Sequence, residues 1–247
     1  EEFSIDLEGG LLTGKGSLII NKLPLSTANI FLNKPRDFLG GLDMNLFYDL
    51  DTKSFSSEIS SNNSSIKNNI IIFDRGLVEF DNSIFDIDFS LLINDSEMPI
   101  NIGGSIPLNK SDNLDLRFIG NGKFIDLIDI FADEYFTFNE GEANLRMIIK
   151  GTINKPILNG FIVVKDSEID FLNNKIKDIN SKIIFDFDSL EIDNLKAKTE
   201  DSGKIFIKGS LPFYSQNDLE KAEINLVMNR FTLKKDNFNF LIDSDVD

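Results

Sequence analysis

The chain of 247 residues contains no cysteine, no histidine and no tryptophan. Without cysteine there are no disulfides, thiolate metal ligands or cysteine nucleophiles. Without histidine there is no Ser-His-Asp triad, no imidazole general base and no common type of zinc site. We therefore predict a protein that is not an enzyme and that uses no cofactor, metal or catalytic residue.

Positive charge and long apolar runs are also scarce. Lys and Arg number 25 against 41 Asp and Glu, which gives a formal charge of −16. This balance repels duplex nucleic acid and anionic membrane surfaces, so no nucleic-acid partner is predicted. No stretch of 18 apolar residues and no signal peptide is present. Because the chain begins at Glu1, we expect a piece of a longer parent, with any membrane anchor in other parts of that parent.

Phenylalanine is abundant, at 23 residues against 3 tyrosines. Its ring has no polar atom and suits a dry interior or an apolar ligand. Strict alternation of apolar and polar residues recurs along the chain and predicts half-buried strands with one polar face. The clearest apolar stripes are Met44-Leu46-Tyr48-Leu50, Phe85-Ile87-Phe89-Leu91-Ile93, Leu114-Leu116-Phe118, Ile205-Ile207-Leu211 and Ile224-Leu226-Met228.

Glycine-containing clusters predict the turns between these strands. They are Gly40-Gly41, Asp74-Arg75-Gly76, Gly103-Gly104, Gly120-Asn121-Gly122, Asn139-Glu140-Gly141, Asn159-Gly160 and Asp201-Ser202-Gly203. At roughly 13 residues per strand and turn, the chain would hold about 19 strands. The run Ser61 to Ser65 predicts a flexible loop. Apolar spacing predicts one short helix over 124–131 and a weaker one over 23–32.

The chain aligns with itself at an offset of about a hundred residues. Gly40 matches Gly141, which brings Met44 and Leu46 onto Leu145 and Met147. Three further matches keep the same order: Ile30-Phe31 with Ile130-Phe131, Ile84–Ile87 with Ile176–Ile179, and Gly104-Ser105-Ile106-Pro107 with Gly209-Ser210-Leu211-Pro212. Two repeat units are predicted, residues 1–119 and 120–247. Such units stack because one alone cannot cover its apolar face.

The second unit carries a recognisable pattern. A helical segment over 124–131 precedes Gly141-Glu142-Ala143-Asn144-Leu145 and the core Gly151-Thr152-x-x-x-Pro156-x-x-x-Gly160. The strands 162–169 and 203–212 follow it. This pattern resembles the repeat of the TamB family, within the AsmA-like and bridge-like lipid-transfer proteins. The match covers residues 120–233, and the first unit lacks the Gly-Thr-x-x-x-Pro-x-x-x-Gly core.

The resemblance implies an all-β fold: an elongated, curved antiparallel sheet, called a β-taco, of tandem repeats with an apolar concave face. It implies a periplasmic location in the cell envelope and a parent anchored in the inner membrane. It also implies passive phospholipid transfer toward the outer membrane and assembly of outer-membrane proteins with a β-barrel partner. Acyl chains would lie along Met44, Leu46, Phe85, Phe89, Leu116, Phe118, Leu145, Met147, Ile205, Ile207, Leu226 and Met228.

Two alternatives stay open. The chain could be a spacer or chaperone whose sheet edge receives an unfolded β-strand, or a hydrolase-like β protein, which the missing histidine disfavours. Carboxylate pairs at strand spacing could hold a cation, but we interpret them as solvated strand faces. They are Asp49/Asp51, Asp86/Asp88, Asp186/Asp188 and Asp243/Asp245.

Overall fold

The computed structural model describes residues 4–9, 14–31, 35–66, 69–94, 96–122, 136–171, 174–187, 189–212, 222–235 and 238–246. Their fifteen strands follow one another in chain order in one antiparallel sheet. The strands are β1 Ser4–Gly9, β2 Lys15–Pro24, β3 Phe38–Asp49, β4 Ser54–Ile66, β5 Asn69–Asp81, β6 Ile84–Ile93, β7 Ile100–Pro107, β8 Asp115–Gly120, β9 Phe136–Thr152, β10 Lys155–Phe171, β11 Asn174–Phe187, β12 Ser189–Thr199, β13 Lys204–Pro212, β14 Glu223–Lys235 and β15 Phe238–Val246. The predicted all-β antiparallel class is confirmed.

The chain divides into two compact units. The first comprises Glu1–Phe118 with Ile149–Pro156, and the second comprises Ile119–Ile148 with Ile157–Asp247. Within each unit the substantial contacts between described strands are those between neighbours in the sheet, and a short helix lies against β3.

Helical structure is confined, among the described residues, to one 3₁₀ helix at Leu25–Phe31. This helix of seven residues lies within the range 23–32, where the weaker helix was predicted. The stronger helix prediction, over 124–131, lies outside the described residues.

Most of the predicted turns are wrong, because the glycines lie inside long strands. Gly40-Gly41 falls in β3, Asp74-Arg75-Gly76 in β5, Gly103-Gly104 in β7, and the 139–141 and 159–160 clusters in β9 and β10. Only two clusters lie where a strand ends: Asp201-Ser202-Gly203 separates β12 from β13, and Gly120-Asn121-Gly122 lies at the end of β8. Strands β9 and β10 reach 17 residues each, so the described sheet has fifteen strands where about 19 were expected.

The predicted loop at Ser61–Ser65 is also wrong, since these residues belong to β4. Ser64 is buried and its hydroxyl donates a hydrogen bond to the Gly41 carbonyl at 2.6 Å. Asn63 has a positive φ of 49°, and the register between β3 and β4 shifts at this level. The polar run is therefore an irregularity within a strand, where side chains bond to backbone of the same sheet.

The internal repeat takes the form of an offset of six strands. Gly40 and Gly141 both lie near the start of their strands, β3 and β9, and both have positive φ. Gly104 and Gly209 occupy β7 and β13, and each of these strands ends at the proline of its motif. The match of Ile84–Ile87 with Ile176–Ile179 departs from this rule, because these segments lie in β6 and β11, five strands apart.

Candidate functional site

The first unit places the predicted apolar residues of β3 and β6 on one face of the sheet. Residues directly opposite one another on antiparallel strands point to the same side. Met44 lies opposite Ile20 on β2 and Ile59 on β4. Leu46, two residues further along β3, lies opposite Leu18 and Ser57. The side of the sheet that carries these residues is called the apolar face below.

Phe85 and Phe89 continue the apolar face on β6. Phe85 lies opposite Phe80, which lies opposite Phe55. The three rings form a cluster, with centroid distances of 5.4 Å for Phe55–Phe80, 4.7 Å for Phe80–Phe85 and 6.0 Å for Phe55–Phe85. Phe89 contacts Phe73 edge to face at 5.9 Å. Aromatic pairs in these geometries stabilise the fold beyond the contribution of burying their apolar surface.

Irregular registers keep apolar side chains on this face. The pairing of β5 with β6 shifts between Phe73 and Arg75. Phe73 and Gly76 are three positions apart in the chain, yet both lie opposite apolar-face residues of β6. Without the shift, the two-residue period would move Phe73 to the opposite side. Further along the unit, Leu116 and Phe118 are half-buried on β8, alternating with exposed Arg117.

The second unit repeats the arrangement. On β9, Leu145 is buried and Met147 is half-buried, and they alternate with exposed Arg146 and Ile148. Ile205 lies opposite Met228 and Ile207 opposite Leu226. These four residues of β13 and β14 belong to one apolar cluster, whose other members are Ile176, Ile179, Ala197, Phe231, Val164, Ile169, Phe171 and Leu195.

The predicted residues are only partly covered by protein. Leu145 and Ile205 are buried, and the other ten are half-buried. In a protein core with layers on both sides, aliphatic side chains of this size are commonly buried completely. Partial exposure of these side chains leaves apolar surface accessible along the described strands of both units.

Several members of the apolar face escaped the sequence analysis. Phe55 was missed because the serine at position 57 interrupts the apolar alternation of β4. Its partner Phe80 on β5 was missed with it. Ile176 and Ile179 were missed because a bulge at Asp178, with φ of 54°, changes their spacing from two to three. The recurrence of Phe at two-residue and five-residue spacing, as in Phe80 and Phe85, was the available signal.

Two serines on the apolar face have no hydrogen-bond partner among the described residues. Ser57 is 3% exposed and Ser181 is 6% exposed, and both hydroxyl oxygens are unpaired. Ser57 lies between Leu46 and Val78 of the neighbouring strands. Ser181 lies between Val164 and Leu195. Among the described residues, each unit therefore has an unpaired hydroxyl in the floor of its apolar face.

Carboxylates of the predicted pairs are engaged in local interactions. Asp49 forms a salt bridge with Lys15, with 2.8 Å between its Oδ2 atom and the lysine Nζ. This bond lowers the pKa of Asp49 and raises the pKa of Lys15. Asp88 pairs with Arg75 at 2.8 Å, and Asp86 accepts a hydrogen bond from Ser105. Within the described ranges no three acidic side chains are grouped to hold a metal ion.

Two predicted pairs remain, Asp186/Asp188 and Asp243/Asp245. Asp188 and the side chains of Asp243 and Asp245 lie outside the described residues. In the described part of the chain, no helix has the length and apolar character needed to cross a membrane.

Comparisons with models of protein families, with curated proteins and with solved structures find no match to this chain.

Proposed function

We propose that the apolar face binds lipid acyl chains and that the protein acts as a passive, non-enzymatic lipid carrier. The observation that supports this proposal is the set of apolar rows running from strand to strand in register. One row comprises Val164, Ser181, Leu195, Ile207 and Leu226 on β10 to β14. Strands lie about 4.8 Å apart, so this row is about 19 Å long.

Such a row suits a flexible hydrocarbon chain. Each methylene sheltered from water contributes about 0.8 kcal/mol. Aliphatic side chains offer nearly the same environment at each strand, so a chain can shift along the row without losing a specific contact. A polar headgroup would stay in water beside the sheet, since leaving its hydration shell is costly. No proton transfer or covalent step is required.

Following the resemblance to the TamB family, we propose that this carrier works in the cell envelope. Its parent would be anchored in the inner membrane and extend through the periplasm. The cargo would be phospholipid moving between inner and outer membranes, and an outer-membrane β-barrel would be the protein partner. Help in outer-membrane protein assembly would follow from the same partner.

The test compares neighbouring residues on opposite faces of one strand. Leu46 is half-buried on the apolar face, whereas Phe47 is 54% exposed on the other. Leu46→Asp and Met147→Asp should each weaken binding of a fluorescent fatty acid by about tenfold or more, because a carboxylate then lies where the acyl chain packs. Phe47→Asp and Ile148→Asp are the matched controls and should leave binding unchanged.

Circular dichroism establishes that each variant keeps its strands. If Leu46→Asp disturbs folding, Met44→Gln tests the same apolar face with a smaller change, because a glutamine has nearly the length of a methionine. Equal effects of substitutions on the two faces, or no fatty-acid binding by the unaltered protein, would contradict the proposal.

A second candidate function is reception of an unfolded β-strand. Strand β1 pairs only with β2 among the described residues, and its Ile5 and Leu7 are exposed. An edge of this kind can pair with an added strand. A photo-crosslinker at Leu7 would capture peptides if this function operates, whereas lipid in organic extracts of the purified protein favours the carrier.

A further inference from the structure

The face opposite the apolar one carries a row of lysines in the second unit. Lys177 on β11 lies opposite Lys198 on β12, and Lys198 lies opposite Lys204 on β13. Like charges directly opposite one another on adjacent strands destabilise a sheet. The row stands out in a chain whose net charge is −16, because acidic partners are abundant in its composition.

Among the described residues, Lys198 is the one lysine of this row that forms a salt bridge. Asp178 accepts a hydrogen bond from Lys198 at 2.8 Å. That bond lowers the pKa of Asp178, with a further contribution from Lys177, and it raises the pKa of Lys198. In the described part of the chain, no carboxylate lies within 4.0 Å of the Lys196 or Lys204 amine.

A cavity of about 310 Å³ lies among these lysines. Phe206 and Val227 are half-buried in its wall, and Phe206 lies directly between Lys196 and Val227 across the strands. The complete lining is Asp178, Lys196, Ala197, Lys198, Lys204, Ile205, Phe206, Val227 and Asn229. This cavity is called the lysine pocket below.

We propose that the lysine pocket binds the anionic group of a small amphiphile, such as a phosphate monoester with an attached apolar chain. Lys196 and Lys204 supply positive charge and hydrogen-bond donors for the anion. Phe206 and Val227 supply apolar surface for the attached chain. Inorganic phosphate would use the lysines alone, and it therefore binds more weakly than the amphiphile.

Asp178 acts as an internal competitor in this site. Its carboxylate already holds Lys198, so a bound anion must share that lysine or rely on the other two. Removing the Asp178 charge therefore frees Lys198 for the ligand. Lys196, Lys204 and Phe206 alternate along their strands with Ala197 and Ile205 of the apolar face, so the groups proposed to hold the ligand point to the opposite side. The proposal therefore does not depend on the carrier function.

The experiment uses the full chain, with hexyl phosphate and inorganic phosphate as probes in calorimetric titrations. Hexyl phosphate should bind at least about tenfold more tightly than inorganic phosphate. The double variant Lys196→Gln/Lys204→Gln should weaken binding of hexyl phosphate by about tenfold. Asp178→Asn should strengthen binding by a factor of roughly two to five. All three residues are on the surface, so folding is preserved.

Lys208→Gln is the matched control. Lys208 is exposed on the same strand and face as Lys204 and does not line the pocket, so its loss should leave binding unchanged. Phe206→Ser should weaken binding of hexyl phosphate and leave that of inorganic phosphate unaltered. The proposal is overturned if hexyl phosphate does not bind, if the two probes bind equally, or if Lys208→Gln weakens binding as much as the double variant. Leu46→Asp, which should weaken fatty-acid binding, should not change the binding of hexyl phosphate at the lysine pocket. The two sites can therefore fail independently in these measurements.

Discussion

At the scale of single residues, the two unpaired serines report whether the apolar face is dry. Ser57 and Ser181 are nearly inaccessible and have hydroxyls without a described partner. A buried hydroxyl without a hydrogen bond costs free energy, and replacing it with a methyl group removes that cost.

We therefore predict that Ser181→Ala and Ser57→Ala each raise the free energy of unfolding by about 1 kcal/mol. Urea denaturation followed by circular dichroism measures the change. Ser167 provides the control, because its hydroxyl donates to the Lys165 carbonyl at 3.0 Å, and Ser167→Ala should lower stability. A loss of stability in Ser57→Ala or Ser181→Ala would show that water satisfies these hydroxyls on an open face.

At the scale of the elements, glycine inside long strands explains most of the difference between expectation and structure. Gly104 has φ of 129°, and a Cβ there would overlap the Asp115 carbonyl of the next strand. Gly209 has φ of 153°, and a Cβ would overlap the Glu223 carbonyl. In these positions glycine permits close approach of two backbones, a role that the sequence alone does not distinguish from a turn.

The adjacent glycines of β7 provide a direct test. Gly104→Ala should lower the free energy of unfolding by about 1–3 kcal/mol, because it combines backbone strain with a clash. Gly103→Ala should have little effect, since a Cβ at position 103 comes no closer than 3.4 Å to its neighbours. Thermal unfolding of the two variants measures the difference. Equal destabilisation would contradict the close-approach explanation.

At the scale of the whole molecule, negative charge and apolar surface act against each other. The formal charge of −16 repels like molecules at neutral pH, whereas the apolar rows favour association. The sequence isoelectric point is about 4.4. As pH falls toward that value, carboxylates bind protons and the repulsion disappears.

We predict that the protein self-associates as pH is lowered from 7 to 4.4, with dynamic light scattering as the measurement. Association should be weaker in Leu46→Asp, because that variant interrupts the apolar face, and unchanged in Phe47→Glu on the opposite face. A preparation that stays monodisperse at pH 4.4 would show that the apolar surface does not drive association.

The sequence by itself determined the all-β class and the identity of many residues on the apolar face. Alternation such as Phe85-Ile87-Phe89 has one physical meaning in a strand, because side chains point to opposite sides in turn. The sequence also revealed the motif shared by β7 and β13, because glycine permits and proline restricts backbone conformations in ways that no other residue does. These features depend on neighbours in the chain, which a sequence displays directly.

Only the tertiary structure decided which glycines lie inside strands, where the apolar period shifts, and which lysines lie opposite one another. Ile176 and Ile179 share a face because a bulge adds one residue between them. Lys177 is far from Lys198 in sequence yet lies directly opposite it on the neighbouring strand. Cross-strand register arises from hydrogen bonds between distant segments, and no local pattern along the chain records it.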